Sequence, residues 1–237
     1  MLYLKTIPRR RSYFAPGSFR EVRRMLAAGP RDEASTVESL ERRLETDLGL
    51  PNPAAVSGGR AALRLILEES GLSPGAEILL PAYTFGAVFG TVRASGFVPV
   101  PVDIDPGSFQ MDPAKARDAV TPRTEALLAT HLFGEPCDLD AFMSLCRDRG
   151  LLLIEDCAQS ICASSRGRIT GAVGDAALTS FDMSKILQGF RGGAVFTTDP
   201  ALADRVRNRI AVPQSHEERE RDGQPPSREV YRRYLEH

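Results

Sequence analysis

The sequence predicts an α/β domain: a mostly parallel sheet of about seven strands packed between helices. Three observations carry this. Short, near-continuous apolar runs recur along the chain, as strands buried on both faces require. Amphipathic segments with helical spacing separate several of them, which joins successive strands by crossovers rather than tight turns. Apolar residues also make up 42% of the 237 positions, enough for a substantial core.

Residues 1–35 read as an irregular N-terminal arm with one short helix at about Ser18–Ala28. Within it, Arg9-Arg10-Arg11 reads as a solvated basic turn, the alternative being contact with a phosphate or a partner subunit. Residues 36–212 form the main domain. A helix is expected to begin near Ser35, where "STVE" sets Ser35 and Glu38 at capping-box spacing. Val37, Leu40, Leu44 and Leu48 then share a helical face. The strands follow as "AAV" before Ser57, "EILLPA", "FVPVPVDI", "EALLATHLF", "LLLIEDCA", "AALTSF" and "GAVFTT". Helices are read in "GRAALRLILEES", "DPAKARDAV" and "DLDAFMSLCRDRG". Residues 213–237, rich in charge, proline and glycine, read as an exposed linker. "VYRRYLEH" within them is placed to start a helix.

Composition excludes several function classes. Lys plus Arg total 30 and Asp plus Glu total 31, so a broad nucleic-acid or anionic-membrane surface is not expected. No apolar run is long enough for a membrane span. The segment "MLYLKTIPRRRSYF" lacks the apolar core of a secretion signal, so a cytoplasmic location is the default expectation. Cys137, Cys146, Cys157 and Cys162 form no C-x-x-C pair and the histidines are few. Reduced, mostly buried thiols and no metal site are expected.

Four places carry possible chemistry, all at or beyond strand ends, where a parallel sheet binds its ligands. In "VSGGRAAL" a strand runs through two glycines into a helix, which offers backbone N–H groups and a positive dipole end to a phosphate. A plain turn explains the same residues equally well. In "PAYTFGA", Tyr83 and Phe85 follow a strand, and Phe85 either faces the core or covers a flat ring. In "LLLIEDCAQS", Glu155 and Asp156 end a buried strand, a costly place for carboxylates without partners. A cationic ring nitrogen would partner Asp156; capping of the next turn is the alternative. Lys185, alone in "SFDMSKILQGFRGGAVFTTD", reads by itself as a surface lysine. In a desolvated pocket it becomes an amine able to condense with an aldehyde. One ligand uses all four features: pyridoxal 5'-phosphate.

In "GGRAAL", "GAEILLPAYTF", "PVPVDIDPGSFQMDP", "THLFGEPCDLDAF", "LLIEDCAQS", "GDAALTSFDMSK" and "RGGAVFTTD", in this order, the chain resembles the DegT/StrS-type sugar aminotransferases. These are fold-type I pyridoxal phosphate enzymes, and the resemblance covers about residues 36–212. It implies that Lys185 holds the cofactor and acts as general base and acid. It implies that Asp156 binds the pyridinium nitrogen, Gln159 lies beside the ring hydroxyl and Phe85 stacks on the ring. Gly59, Arg60 and Ser180 would bind the phosphate, and His131 would lie nearby without an assigned role. The implied reaction moves an amino group from an amino acid, usually L-glutamate, to a keto group, typically on a nucleotide-linked sugar, in a homodimer.

The chain departs from that family at Arg60, where a small hydroxyl residue is common, and at Asp182 and Met183. It is also much shorter, so the C-terminal small domain is expected to be missing or incomplete. A cofactor-binding subunit that needs a partner chain is therefore the second reading. A plain nucleotide-binding domain is the third, disfavoured because neither glycine fingerprint is present.

Overall fold

The computed structural model describes residues 33–189 and 191–211, together with residues 17, 20, 23, 24 and 27. Of the expected arm helix, Arg20, Arg23, Arg24 and Ala27 are helical. Arg9-Arg10-Arg11 and the linker of residues 213–237 lie outside the described residues.

A seven-stranded sheet organises the chain. Its strands are β1 (Ala54–Val56), β2 (Glu77–Pro81), β3 (Val98–Val102), β4 (Thr124–Thr130), β5 (Leu152–Asp156), β8 (Ala176–Ser180) and β9 (Gly193–Thr197). Their spatial order is β1-β9-β8-β5-β4-β2-β3. The pairs β3–β2, β2–β4, β4–β5 and β5–β8 are parallel. Among the described strands of this sheet, only β9 is reversed, antiparallel to both β8 and β1. A small hairpin, β6 (Ser164–Ser165) with β7 (Arg168–Ile169), stands apart from this sheet and was not expected from the sequence.

Helices cover both faces, as the continuous apolar strands require. On one face α2 (Gly59–Glu69), α3 (Ala87–Ala94) and α6 (Pro200–Ala211) surround a core that includes Leu65, Ile66, Ile78, Leu80, Val92, Leu128, Ile154, Val195 and Val206. The other face carries α4 (Pro113–Ala119) and α5 (Leu139–Arg149) over Leu79, Leu127, Phe142, Leu145 and Leu153. Beside them, Leu44 of α1 (Glu33–Leu48) packs with Phe181, Phe196 and Ile161.

Local chemistry sets the ends of these elements. Asp112 caps α4 by accepting from Ala114 and Lys115 N–H, with Pro113 as the first helical residue. Asp138 caps α5 through Ala141 N–H, and Gly150 ends it at φ 66°, a conformation that favours glycine. Pro99 and Pro101 sit in β3, which is tolerated because β3 is an edge strand. One reading needs correction. The first helix starts at Glu33, so Ser35 lies in its first turn rather than capping it, because Ala34 is a strong helix former. Only the C-terminal half of its apolar face is covered: Leu44 is buried while Val37 and Leu40 are exposed.

Candidate active site

The carboxyl ends of β1, β2, β4, β5 and β8 open into one cleft of about 470 Å³. Because β9 runs the other way, its first residues reach the same edge. Gly59, Arg60, Phe85, Asp156, Gln159, Ser180 and Lys185 all line this cleft. The sequence separates them widely; parallel strands that end at one edge bring them together.

At one end of the cleft lies the start of α2, which has no side-chain cap. Its first-turn N–H groups therefore have no partner inside the helix. Gly59 belongs there for a packing reason as well: a Cβ on it would lie 3.1 Å from the Ser180 Cβ. The close approach sets the Ser180 hydroxyl beside the helix start. Arg60 is exposed at the same end.

Asp156, the last residue of β5, also lines the cleft and is almost fully buried. Its Oδ1 accepts from Ala158 N–H at 3.0 Å. Burial pushes its carboxyl above the ordinary range, opposed by the Ala158 N–H and the nearby Lys185 ammonium. Lys185 is half-buried in the loop after β8, its backbone N–H bonded to Asp182 O at 2.9 Å. It is the one primary amine among the described lining residues. Phe85 lines the cleft and is 70% exposed, so it does not face the core. Gln159 spends its Oε1 on Phe133 N–H at 2.9 Å, which ties the loop after β5 to the turn after β4.

Some lining residues were not foreseen. Thr84 and Thr130 line the cleft, and each has a buried hydroxyl oxygen with no hydrogen-bond partner among the described residues. Arg191, just before β9, also lines it. A polar residue at the end of the apolar run "EALLAT" was the available signal for Thr130.

Behind the cleft, Glu155 points away from Asp156, because successive residues of a strand face opposite sides. It is fully buried. Its Oε1 accepts from Val173 N–H at 2.9 Å and Gly174 N–H at 2.7 Å. Its Oε2 accepts from Gly171 N–H at 2.9 Å and faces His131 Nε2 at 3.0 Å. Desolvation raises its pKa, but these donors outweigh it and hold the carboxyl below the ordinary range. His131, Glu155 and Cys157 place possible ligand atoms within 4.8 Å of one another. Both Glu155 oxygens and both His131 nitrogens already have hydrogen-bond partners, and burial raises the Cys157 thiol pKa far above its ordinary value. This is a hydrogen-bonded core cluster and poor ground for a cation.

The sequence profile of the DegT/DnrJ/EryC1/StrS aminotransferase family matches residues 16–223. The chain belongs to this family. Among its relatives in the DegT/DnrJ/EryC1/StrS family, the spore coat polysaccharide biosynthesis protein SpsC of Bacillus subtilis is 34% identical over 84% of this chain and 53% of its own. The dTDP-3-amino-3,4,6-trideoxy-alpha-D-glucose transaminase of Streptomyces venezuelae is 38% identical over 78% of this chain and 49% of its own. The solved structure of NtdA from Bacillus subtilis with bound cofactor PMP superimposes with a TM-score of 0.71 at 32% identity, over 79% of this chain and 42% of that one. The family's cofactor is pyridoxal phosphate. The chain spans about half the length of the curated relatives it matches. Among the described residues, no helix is long and apolar enough to cross a membrane.

Proposed function

We propose that this chain carries the cofactor site of a pyridoxal phosphate-dependent aminotransferase. It would move an amino group from an amino acid, L-glutamate in the simplest case, to a keto group on a nucleotide-linked sugar. One observation carries the reading: a single cleft holds an uncapped helix start at one end, with a buried carboxylate and a primary amine beside each other elsewhere in its wall.

The residues fit the group. A phosphate is complementary to the first turn of α2 and the Ser180 hydroxyl, with Arg60 adding charge. Asp156, costly to bury as an anion, gains a partner in a protonated ring nitrogen. The unpartnered Thr84 and Thr130 hydroxyls await polar groups in the same space. Phe85 would cover a flat ring and Gln159 would border it. Bound there, the cofactor supplies an aldehyde and an electron-withdrawing ring. The Lys185 amine would take the proton from the donor's α-carbon and return a proton where the new amine forms. The sugar acceptor rests on the family's named relatives; glutamate is the donor that the family resemblance implies. A homodimeric assembly, a cytoplasmic setting and a cofactor-binding unit over residues 36–212 belong to the same proposal.

The test uses the 237-residue chain with pyridoxal phosphate and L-glutamate. Wild type is expected to show long-wavelength cofactor absorbance that falls when glutamate is added. Lys185→Ala should lose that band and lower turnover by about a hundredfold to ten-thousandfold. A band unchanged in Lys185→Ala overturns the assignment.

A further inference from the structure

His131 and Glu155 lie outside the cleft, yet they clamp the residue on which the proposed cofactor site depends. The clamp has three parts. The His131 backbone N–H bonds to Asp156 O at 3.1 Å. The His131 ring, through Nε2, faces Glu155 Oε2 at 3.0 Å. Glu155 in turn gathers three N–H groups from the Gly171–Gly174 turn. On the other flank, Cys157 N–H bonds to Leu178 O of β8 at 2.9 Å, so the end of β5 is fixed from both sides.

The tautomer of His131 follows from its neighbours. Nδ1 accepts from Cys137 N–H at 3.1 Å, and the Cys137 Sγ lies 3.3 Å from the same nitrogen. A proton on Nδ1 would set two donors against each other. The proton therefore sits on Nε2 and is donated to Glu155. Side chain and main chain of one residue thus hold two successive residues of β5, and the second of these is Asp156. Gly174 must be glycine for this packing, because a Cβ there would come within 2.8 Å of Leu153 O. Such buried polar networks fix geometry when every member is satisfied.

We propose that His131 and Glu155 are positioning residues: a neutral, Nε2-protonated imidazole tied to a buried carboxylate keeps the Asp156 carboxylate aimed at the ring nitrogen of the cofactor. The proposal rests on the aminotransferase reading above. Neither residue meets the cofactor; both act through Asp156. The ionisable groups around Asp156 are Lys185 beside it in the cleft wall, together with His131 and Cys157.

The two nitrogens of the ring can be tested separately. Glutamine at position 131 can supply a donor in place of Nε2, whereas asparagine can replace only the Nδ1 acceptor. The experiment titrates the long-wavelength absorbance of the pyridoxal phosphate-loaded 237-residue chain against pH. It also measures cofactor affinity by fluorescence, with circular dichroism as the check on folding. Asp156→Asn should move the spectral midpoint by roughly one pH unit, a tenfold change in the equilibrium. His131→Asn and Glu155→Gln should move it in the same direction, and His131→Asn should add little in the Asp156→Asn background. His131→Gln should stay near wild type. A folded His131→Asn chain with an unmoved midpoint, or a shift fully additive to that of Asp156→Asn, overturns the inference and leaves the aminotransferase reading standing. No cofactor band in the wild-type chain overturns that reading, and the inference with it.

Discussion

Two carboxylates adjacent in sequence, Glu155 and Asp156, meet opposite environments across the same strand. Both are buried. Glu155 faces three backbone N–H groups and an imidazole, and it is held below the ordinary carboxylate range. Asp156 faces an open cleft with one N–H bond to its Oδ1, and burial lifts it above that range. The difference teaches that burial alone does not set a carboxylate's charge; the number of donors aimed at it does. One acid is completed by the protein. The other is left for a ligand to complete.

Removing the completed acid should have the largest effect. Glu155→Leu leaves three buried N–H groups and the His131 Nε2–H without their acceptor. We expect a loss of about 3–5 kcal/mol in stability, read from urea unfolding. A loss below 1 kcal/mol would mean that the network contributes little to the fold.

Acid titration of the cofactor-free chain sharpens the contrast next. Glu155 is lowered on folding, so its contribution is present above its unfolded pKa and is lost as pH falls through the folded value. Asp156 is raised, so its sign is opposite: the native state gains stability as pH falls through the raised folded value, and the gain is complete below the unfolded one. Glu155→Gln should therefore flatten the acid-side loss of unfolding midpoint. Asp156→Asn should flatten the gain at higher pH. Parallel pH profiles for the two variants would erase the distinction drawn between the acids.

The smallest effect is expected where the cleft is lined by backbone. Gly59→Ala places a methyl group 3.1 Å from the Ser180 Cβ, a contact relieved by a shift of a few tenths of an ångström. Stability should change by less than about 1 kcal/mol, while cofactor affinity falls several-fold because the helix start moves from Ser180. Unchanged affinity would mean that the α2–Ser180 spacing does not matter to binding.

The sheet was legible because its strands are buried on both faces and read as uninterrupted apolar runs. Lys185 and Asp156 were legible for the same reason: a charged residue stands out beyond "AALTSF" or after "LLLI". The helix Ala87–Ala94 was not read, since "AVFGTVRA" is apolar and short and carries a glycine. The partnership of His131 with Glu155 had no local signal either. It arises because β4 and β5 are parallel neighbours, so residues just past or near their ends meet. Phe85 was open between core and cover, and its exposure reflects a place at the cleft mouth that residue type alone does not specify.

The reversed strand β9 has a consequence for the order of assembly. Gly192 bridges Gly58, and a Cβ on Gly193 would lie 2.6 Å from Thr179 O and 2.8 Å from the Gly58 carbonyl carbon. The anion-facing end of the cleft is therefore a seam of bare backbone, drawn from segments that lie far apart along the chain. Pairings of such long range are intrinsically slow to form. Until β9 slides between β1 and β8, the start of α2 has no wall behind it. Competence of the cleft thus depends on the docking of β9, and ligand capture by a nascent chain would report that β9 is in place.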